Sequence, residues 1–144
     1  MFAGDLLAER ARITPDRVAL ISVETGERLT YAQINDRASG AAVMLLDNGL
    51  QPGDRAGLVA ANSIDFIALF FAALKVGVIV VPLSARATAH ELSIIAADCG
   101  MKILFHDGSA PDVNGVTLTK LNIVPSARPV PASVHDPEST SCLL

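Results

Sequence analysis

The stretch GDRAGLVAANSIDFIALFFAALKVGVIVVPLSARATAHELSIIAADCGMKILF, residues 53–105, decides the fold of this chain. Aliphatic runs and helix signals alternate along it, with short connections between them. They predict strands at 55–61, 78–81 and 102–105, a helix at 63–75 and a second helix from Thr88 to Ala97. Strands that alternate with helices in this way form a doubly wound, mostly parallel sheet with flanking helices. The predicted fold class is therefore α/β.

Two helices carry the same start signal, a capping box. Thr30 with Gln33 opens the first of them, and Thr88 with Glu91 opens the second. In each pair, the two side chains satisfy backbone N–H groups that the start of a helix leaves without partners. Upstream of these helices, the pattern predicts a short helix at 5–12 and a pair of strands at 18–23 and 28–30.

The chain divides into two predicted regions at residue 121. Residues 1–121 form an N-terminal α/β subdomain that closes with a strand at 115–119. Residues 122–144 are rich in Pro and Ser and predict an extended crossing segment, which ends in the start of a strand at Cys142-Leu143-Leu144. Because that strand begins where the sequence stops, we expect the chain to be the front part of a larger domain.

The composition argues against a nucleic-acid-binding protein. Hydrophobic residues make up 51% of the chain and aromatic residues only 4%, while the formal net charge is −4 and the pI is near 5.2. Such a chain has neither the basic surface nor the aromatic platforms of a nucleic-acid-binding protein. Cys99 and Cys142 lie far apart without metal-ligand spacing, which predicts reduced thiols in a cytoplasmic protein.

The apolar run at 66–83 is long enough to be tested as a membrane span. Lys75 lies in its middle, and a central lysine costs about 2.5–3.5 kcal/mol on membrane-insertion scales. Pro82 has no N–H to donate and is predicted to end the strand ladder that follows the helix. We therefore predict no transmembrane segment, but a helix buried on all sides whose last turn lets Lys75 extend its ammonium group to solvent.

The sequence contains no motif that would carry catalysis. It has no glycine-rich phosphate loop, no nucleophile elbow and no His or Cys pair at metal-ligand spacing. His106 follows a predicted strand at the edge where α/β sheets bind ligands, but a loop histidine is the favoured interpretation. His90 and His135 are isolated, and His90 is interpreted as surface. No catalytic residue and no metal ligand is predicted in this chain.

Several segments together resemble one enzyme family. LTYAQINDRA at 29–38 resembles the first core motif of the adenylate-forming, or AMP-binding, enzymes: acyl-CoA synthetases, peptide-synthetase adenylation domains and luciferases. The stretch at 53–105 is similar to the region of their second core motif, with Leu-Lys-Val-Gly at 74–77 leading into Val-Pro-Leu at 81–83. TPDRVAL at 14–20 is similar to the segment with which sequences of this family usually start. The aliphatic strand before the proline makes the chain most like an acyl- or aryl-CoA synthetase.

The resemblance implies an activity that the chain alone is predicted to lack. In the family reaction a carboxylate attacks the α-phosphate of ATP to give an acyl-adenylate, and coenzyme A then forms a thioester and displaces AMP. ATP, Mg²⁺ and coenzyme A would serve the intact protein, with a small carboxylic acid as substrate. The family's phosphate loop would follow residue 144, so the remainder of the polypeptide is the expected partner. None of these cofactors is expected to bind this chain tightly on its own.

One residue of the chain matches a family position that approaches a ligand. Arg86 lies just past the strand that ends at Pro82, where a basic residue in some family members approaches the nucleotide phosphates of coenzyme A. A guanidinium suits that role because it offers fixed, paired donors to phosphate oxygens. A solvated loop arginine is the alternative interpretation, and the residues alone favour it.

Three other interpretations of the chain remain open. It could be a self-contained, non-catalytic α/β module that binds or assembles with a partner, or part of a peptide-synthetase adenylation domain. An unrelated α/β binding domain would require the motifs and their order to match by chance. The continuation of the coding sequence past Leu144 distinguishes the ligase fragment from the self-contained module.

Overall fold

The computed structural model describes residues 5–108 and 110–130, and each predicted element within them is present with bounds shifted by a few residues. Cys142, His135 and the predicted strand start at 142–144 lie outside the described residues, and the division at residue 121 stays a prediction. In chain order the elements are α1 Leu6–Ile13, β1 Val18–Ile21, β2 Arg28–Thr30, α2 Tyr31–Asp47, β3 Arg55–Val59, α3 Ile64–Val76, β4 Ile79–Pro82, α4 Ala89–Cys99, β5 Ile103–His106 and β6 Thr117–Lys120.

The main sheet has the strand order β4-β3-β5-β6, and all of its neighbouring pairs are parallel. β3 is a central strand, since its Ala56 pairs with Val80 on one side and with Ile103 on the other. The short strands β1 and β2 form a separate antiparallel pair. The predicted fold class, α/β with a mostly parallel sheet between helices, is confirmed.

Helices cover both faces of the sheet because side chains alternate along its strands. Ala56 and Leu58 of β3 lie in the core shared with α2 and α3, whereas Val59 lies in the core shared with α4. Gly57 also faces α4, where a Cβ atom would lie 2.6 Å from both Leu104 Cδ1 and Met101 Sδ. A larger residue there would force the Leu104 and Met101 side chains to shift, so close packing and not the backbone conformation favours glycine.

The two predicted capping boxes are confirmed. The Thr30 N–H donates to Gln33 Oε1 at 2.8 Å and the Gln33 N–H donates to the Thr30 hydroxyl at 3.3 Å. Thr88 and Glu91 make the same reciprocal pair at the start of α4. These local bonds fix where α2 and α4 begin, and so fix how each helix leaves the preceding strand.

Pro82 is the last residue of β4 and of its pairing with β3, so the predicted end of the strand is confirmed. The missing N–H is not the reason, because the next residue, Leu83, still donates its N–H to Leu58 O at 2.9 Å. Along a parallel strand, successive residues direct their main-chain groups to opposite sides. The N–H that proline lacks would have pointed away from β3, so its loss costs the β3–β4 pairing nothing.

The prediction that α3 is buried on all sides is right for only part of the helix, since Leu69 and Val76 are buried along with its alanines. Ala68, Ala72 and Ala73 are fully buried, while Phe70 and Phe71 are half-buried. These two rings form an edge-to-face pair, with centroids 5.9 Å apart and an interplanar angle of 81°. No helix in the described part of the chain is long and apolar enough to cross a membrane.

The segment after β6 has no regular secondary structure up to residue 130, and it crosses α2 at very short range. A Cβ atom on Gly40 of α2 would lie 1.9 Å from Val124 O. The Ser126 N–H donates to Asp36 O at 2.9 Å, which fixes the crossing to the same helix. Gly40 is thus needed for the close approach of two backbones.

The prediction that Lys75 extends to solvent is wrong. The residue is only 4% exposed, and its ammonium group is paired with the Asp5 carboxylate and donates to Asn35 Oδ1 at 2.8 Å. Asp5 also caps α1, where its Oδ1 accepts from the Ala8 N–H at 3.0 Å. Lys75 on α3 therefore connects the start of α1 with α2 through charge-assisted hydrogen bonds.

Replacing Lys75 with Ala should destabilise the fold by about 3 kcal/mol, because it leaves the Asp5 carboxylate without its buried cation. The measurement is the free energy of unfolding in urea. Arg12→Ala is the matched control, since Arg12 forms an exposed ion pair with Glu9 at 2.7 Å and its loss should have little effect. Equal effects of the two substitutions would contradict a structural role for the buried pair.

Candidate functional site

The carboxyl ends of the four parallel strands meet at one edge of the sheet. The chain leaves β3 toward its neighbour β4, whereas it leaves β5 toward β6 on the opposite side. The loops that follow β3 and β5 therefore leave the sheet in opposite directions and open a crevice between them. This is the topological switch point of the sheet, where open α/β sheets bind their ligands. The N-termini of α3 and α4 lie at this same edge, so the fold alone makes it the candidate functional site.

The exit loops of β3 and β5 are joined by one side chain. Asp107, directly after β5, accepts a hydrogen bond from the Ala61 N–H at 2.7 Å through its Oδ2. Ser63 then caps α3, and its hydroxyl accepts from the Phe66 N–H at 3.2 Å. Asp107 could not be predicted from the sequence, because its partner is 46 positions away along the chain.

His106 lies at this switch point, as the last residue of β5 rather than in the loop that follows it. Its backbone pairs with Val59 of β3 and with Lys120 of β6, so its position is fixed by strands on both sides. Within the described residues its buried Nδ1 atom has no hydrogen-bond partner. His90, by contrast, is exposed on the first turn of α4, as the sequence predicted.

Arg86 is exposed on the loop between β4 and α4. Its backbone N–H donates to the Ser84 hydroxyl at 3.1 Å, and its guanidinium has no acceptor among the described residues. It lines a cleft of about 580 Å³ together with Pro82, Glu91 and Ile94. The guanidinium is thus available to an anion at the candidate edge, although the structure does not bring it together with His106 or Asp107.

Glu91 is the only carboxylate among the described residues that line this cleft. The Thr88 backbone N–H at 2.7 Å and the Thr88 hydroxyl at 2.9 Å both donate to its Oε2 and lower the pKa of the carboxyl group. At neutral pH Glu91 is therefore ionised and occupied with the helix start. Within the described residues no group of three or more His, Cys, Asp or Glu side chains could hold a metal ion.

An apolar groove of about 530 Å³ lies beside the start of α3, between that helix and the β1–β2 pair. Ile21 is 53% exposed there, and Ile64, Phe66 and Ile67 line the opposite side. The groove was not predicted, because its two sides come from elements that are far apart in the sequence. It adds apolar surface to an edge whose other groups are polar.

Comparison with known proteins shows which family this arrangement belongs to. The family model described as AMP-binding enzyme matches residues 7–142. A long-chain-fatty-acid–CoA ligase of Mycobacterium tuberculosis is 37% identical over 114 residues, which are 78% of this chain and 23% of the ligase. A 3-oxocholest-4-en-26-oate–CoA ligase of Rhodococcus rhodochrous is 33% identical over 104 residues, or 72% of this chain and 18% of that protein.

Solved structures contain the same fold. A fatty acyl CoA synthetase of Mycobacterium tuberculosis superposes with a TM-score of 0.80 at 27% identity, covering 94% of this chain and 30% of that one. The N-terminal subdomain of the Klebsiella oxytoca protein NpsA has a TM-score of 0.81 at 22% identity, covering 97% of this chain and 37% of that one. The second likeness shows the fold alone. The chain spans less than a quarter of the length of the curated relatives described above.

Glu91→Gln should make the stability of the fold less dependent on pH. The folded-state pKa of Glu91 is lowered, so the stability it contributes is present above the ordinary value of 4.5 and is lost as the pH falls through the folded value. The urea midpoints of wild type and variant should therefore differ more at about pH 7 than at about pH 3. A difference that stays constant across this range would contradict the capping role of the charge.

Proposed function

The chain belongs to the AMP-binding enzyme family, and from that premise we propose that it is the N-terminal part of an ATP-dependent, AMP-forming acyl-CoA ligase. The observation that carries the proposal is the 37% identity to a long-chain-fatty-acid–CoA ligase over 78% of the chain. The intact protein would join a carboxylic acid to the α-phosphate of ATP with loss of pyrophosphate. Coenzyme A thiol would then attack the acyl carbonyl and release AMP.

In this proposal the chain acts as scaffold and supplies part of the ligand-binding edge. Any magnesium ion bound with ATP would be held in the completed active site of the intact protein, and this chain is assigned no ligand to it. The remainder of the polypeptide would complete the active site, and the chain alone would have no ligase activity. We also infer that the protein acts in the cytoplasm, where reduced thiols such as the free Cys99 persist.

Arg86 is the residue of this chain that we assign to coenzyme A. Its exposed guanidinium, at the carboxyl end of β4, suits a nucleotide phosphate because it carries a permanent charge and several donors. The cleft beside it is wide enough for part of a nucleotide, and its apolar side is formed by Ile94 and Ile95. The role of Arg86 would be to bind and orient coenzyme A and not to take part in bond making.

A peptide-synthetase adenylation domain is the second candidate for the intact protein, because NpsA also occurs in a solved adenylation–PCP di-domain NRPS from Klebsiella oxytoca. The likeness to NpsA rests on the fold, at 22% identity, whereas the sequence relatives described above are CoA ligases. The two candidates differ in the acceptor of the acyl group, free coenzyme A or a carrier protein. A non-catalytic binding module would lack adenylate formation altogether.

The test is a chimaera in which residues 7–142 replace the matched segment of the Mycobacterium tuberculosis ligase. A folded chimaera should catalyse ATP–pyrophosphate exchange that depends on a long-chain fatty acid and should form the CoA thioester. The chain alone and the ligase without its matched segment should both be inactive. A chimaera that unfolds cooperatively but catalyses no exchange would contradict the proposal.

Arg86→Ala in the chimaera should raise the KM for coenzyme A roughly tenfold, the effect of losing one charged hydrogen bond, with the exchange reaction unchanged. Arg28→Ala is the matched control, because Arg28 is also exposed but lies on β2. The measurement is the initial rate of thioester formation as a function of coenzyme A concentration. Equal KM values for the two variants would show that Arg86 has no part in binding coenzyme A.

A further inference from the structure

Among the described residues, one buried side-chain atom has no hydrogen-bond partner, and this atom is Nδ1 of His106. The buried ammonium group of Lys75, by contrast, is paired with Asp5 and Asn35. A buried polar atom without a partner costs folding free energy, so native structures contain few of them and each requires an explanation. His106 is the last residue of β5 and lies at the switch point, so its unpaired atom belongs to the candidate functional site.

The strand pairing fixes the side of the sheet to which the imidazole of His106 points. Along β5, Phe105 lies in the core shared with α2 and α3, whereas Leu104 lies in the core shared with α4. Because side chains alternate along a strand, the imidazole is directed to the α4 side, as Leu104 is. Its neighbour on β3, Val59, has no side-chain donor, and its neighbour on β6, Lys120, is exposed and lines a cleft beside α2. Neither neighbouring strand satisfies Nδ1.

The unpaired nitrogen is assigned as an acceptor. A neutral imidazole carries a proton on one ring nitrogen and accepts a hydrogen bond through the other. Buried N–H groups that lack an acceptor are rarer in proteins than buried acceptors that lack a donor, so the proton is assigned to Nε2. What Nδ1 lacks is therefore a hydrogen-bond donor, and the described residues do not supply it.

We propose that His106 is a positioning residue, whose Nδ1 accepts a hydrogen bond from a main-chain N–H of the polypeptide that completes the active site. This inference rests on the proposed function, in which the chain is part of a longer ligase. A small ligand is not the expected donor, because the atom is already buried and His106 lines neither the cleft beside Arg86 nor the apolar groove beside α3. A segment that packs against the edge as the protein folds can reach it, and the main chain is a frequent partner of buried side chains.

The hydrogen bond would hold the added segment against the end of β5. The next residue, Asp107, already joins the exit loops of β3 and β5 through the Ala61 N–H. His106 would therefore fix a third segment to the same point without touching substrate or cofactor. A side chain on a paired strand suits this task better than one on a loop, because the strand holds its position precisely.

The first experiment compares three substitutions of His106 in the chimaera described above. His106→Phe keeps a planar ring without nitrogens, His106→Asn keeps an oxygen near the position of Nδ1, and His106→Gln places its oxygen nearer the position of Nε2. ATP–pyrophosphate exchange should fall roughly tenfold with Phe and with Gln, the effect of one lost hydrogen bond, and less than about twofold with Asn. Equal losses with Asn and with Phe would overturn the proposal.

The 144-residue chain is the control for effects on the fold itself. There His106→Phe should raise the urea midpoint of unfolding, because an unpaired buried polar atom is removed and no hydrogen bond is lost. A midpoint that falls with Phe but not with Asn would show that Nδ1 already has a donor within the chain, and would overturn the proposal.

The NMR resonance of the Nδ1 nitrogen reports the hydrogen bond without relying on activity. The spectrum of His106→Asn identifies this resonance by difference. It should move upfield from the chain alone to the chimaera, with no ATP, fatty acid or coenzyme A present. A resonance that does not move, or that moves only when one of these ligands is added, would overturn the proposal.

The two proposals fail in different ways. A chimaera whose resonance moves but which catalyses no ATP–pyrophosphate exchange confirms the hydrogen bond of His106 and contradicts the ligase proposal. An active chimaera whose resonance does not move contradicts the role of His106 alone.

Discussion

The double burial of β3 is the constraint on which the rest of the structure depends. A strand that is paired on both sides and packed on both faces can contain only small or aliphatic side chains, and each face needs its own helices. Leu58 packs beneath α2 and α3, while Val59 and Gly57 face α4. Because parallel strands require crossover connections, the same constraint brings the carboxyl ends of β3, β4, β5 and β6 to one edge. The candidate site follows from this arrangement.

The edge formed by the carboxyl ends of the strands carries polar side chains that are not part of the hydrophobic core. Asp107 joins the exit loops of β3 and β5, Arg86 extends from the loop after β4, and the buried Nδ1 of His106 lies at the end of β5. None of these side chains forms an acid–base pair or a nucleophile–base pair with another in the described residues. In the proposed function the chain would therefore supply a framework and one binding residue, Arg86, to a protein as long as the curated relatives described above, of which it covers 23% and 18%.

Local signals in the sequence predicted most of the fold. The capping boxes at Thr30 and Thr88 involve residues three positions apart, so both partners of each box can be read directly from the sequence.

Contacts between distant residues could not be predicted in this way. Lys75 binds Asp5, 70 positions away, and the sequence gives no sign that the two helices pack together. The outward position of Pro82 depends on the pairing of β3 with β4, so the sequence predicted where β4 ends but not which side of the strand the proline faces. Arg86 was identified only through the family resemblance, because an exposed loop arginine has no distinguishing pattern of its own.

We propose that these residues are the first part of a longer CoA ligase, and the sequence of the messenger RNA that follows codon 144 tests this proposal. The reading frame should continue into a loop rich in Ser, Thr and Gly that ends in Pro-Lys, the segment that would hold the ATP phosphates. A stop codon directly after Leu144 would contradict it and would make the chain a binding or assembly module.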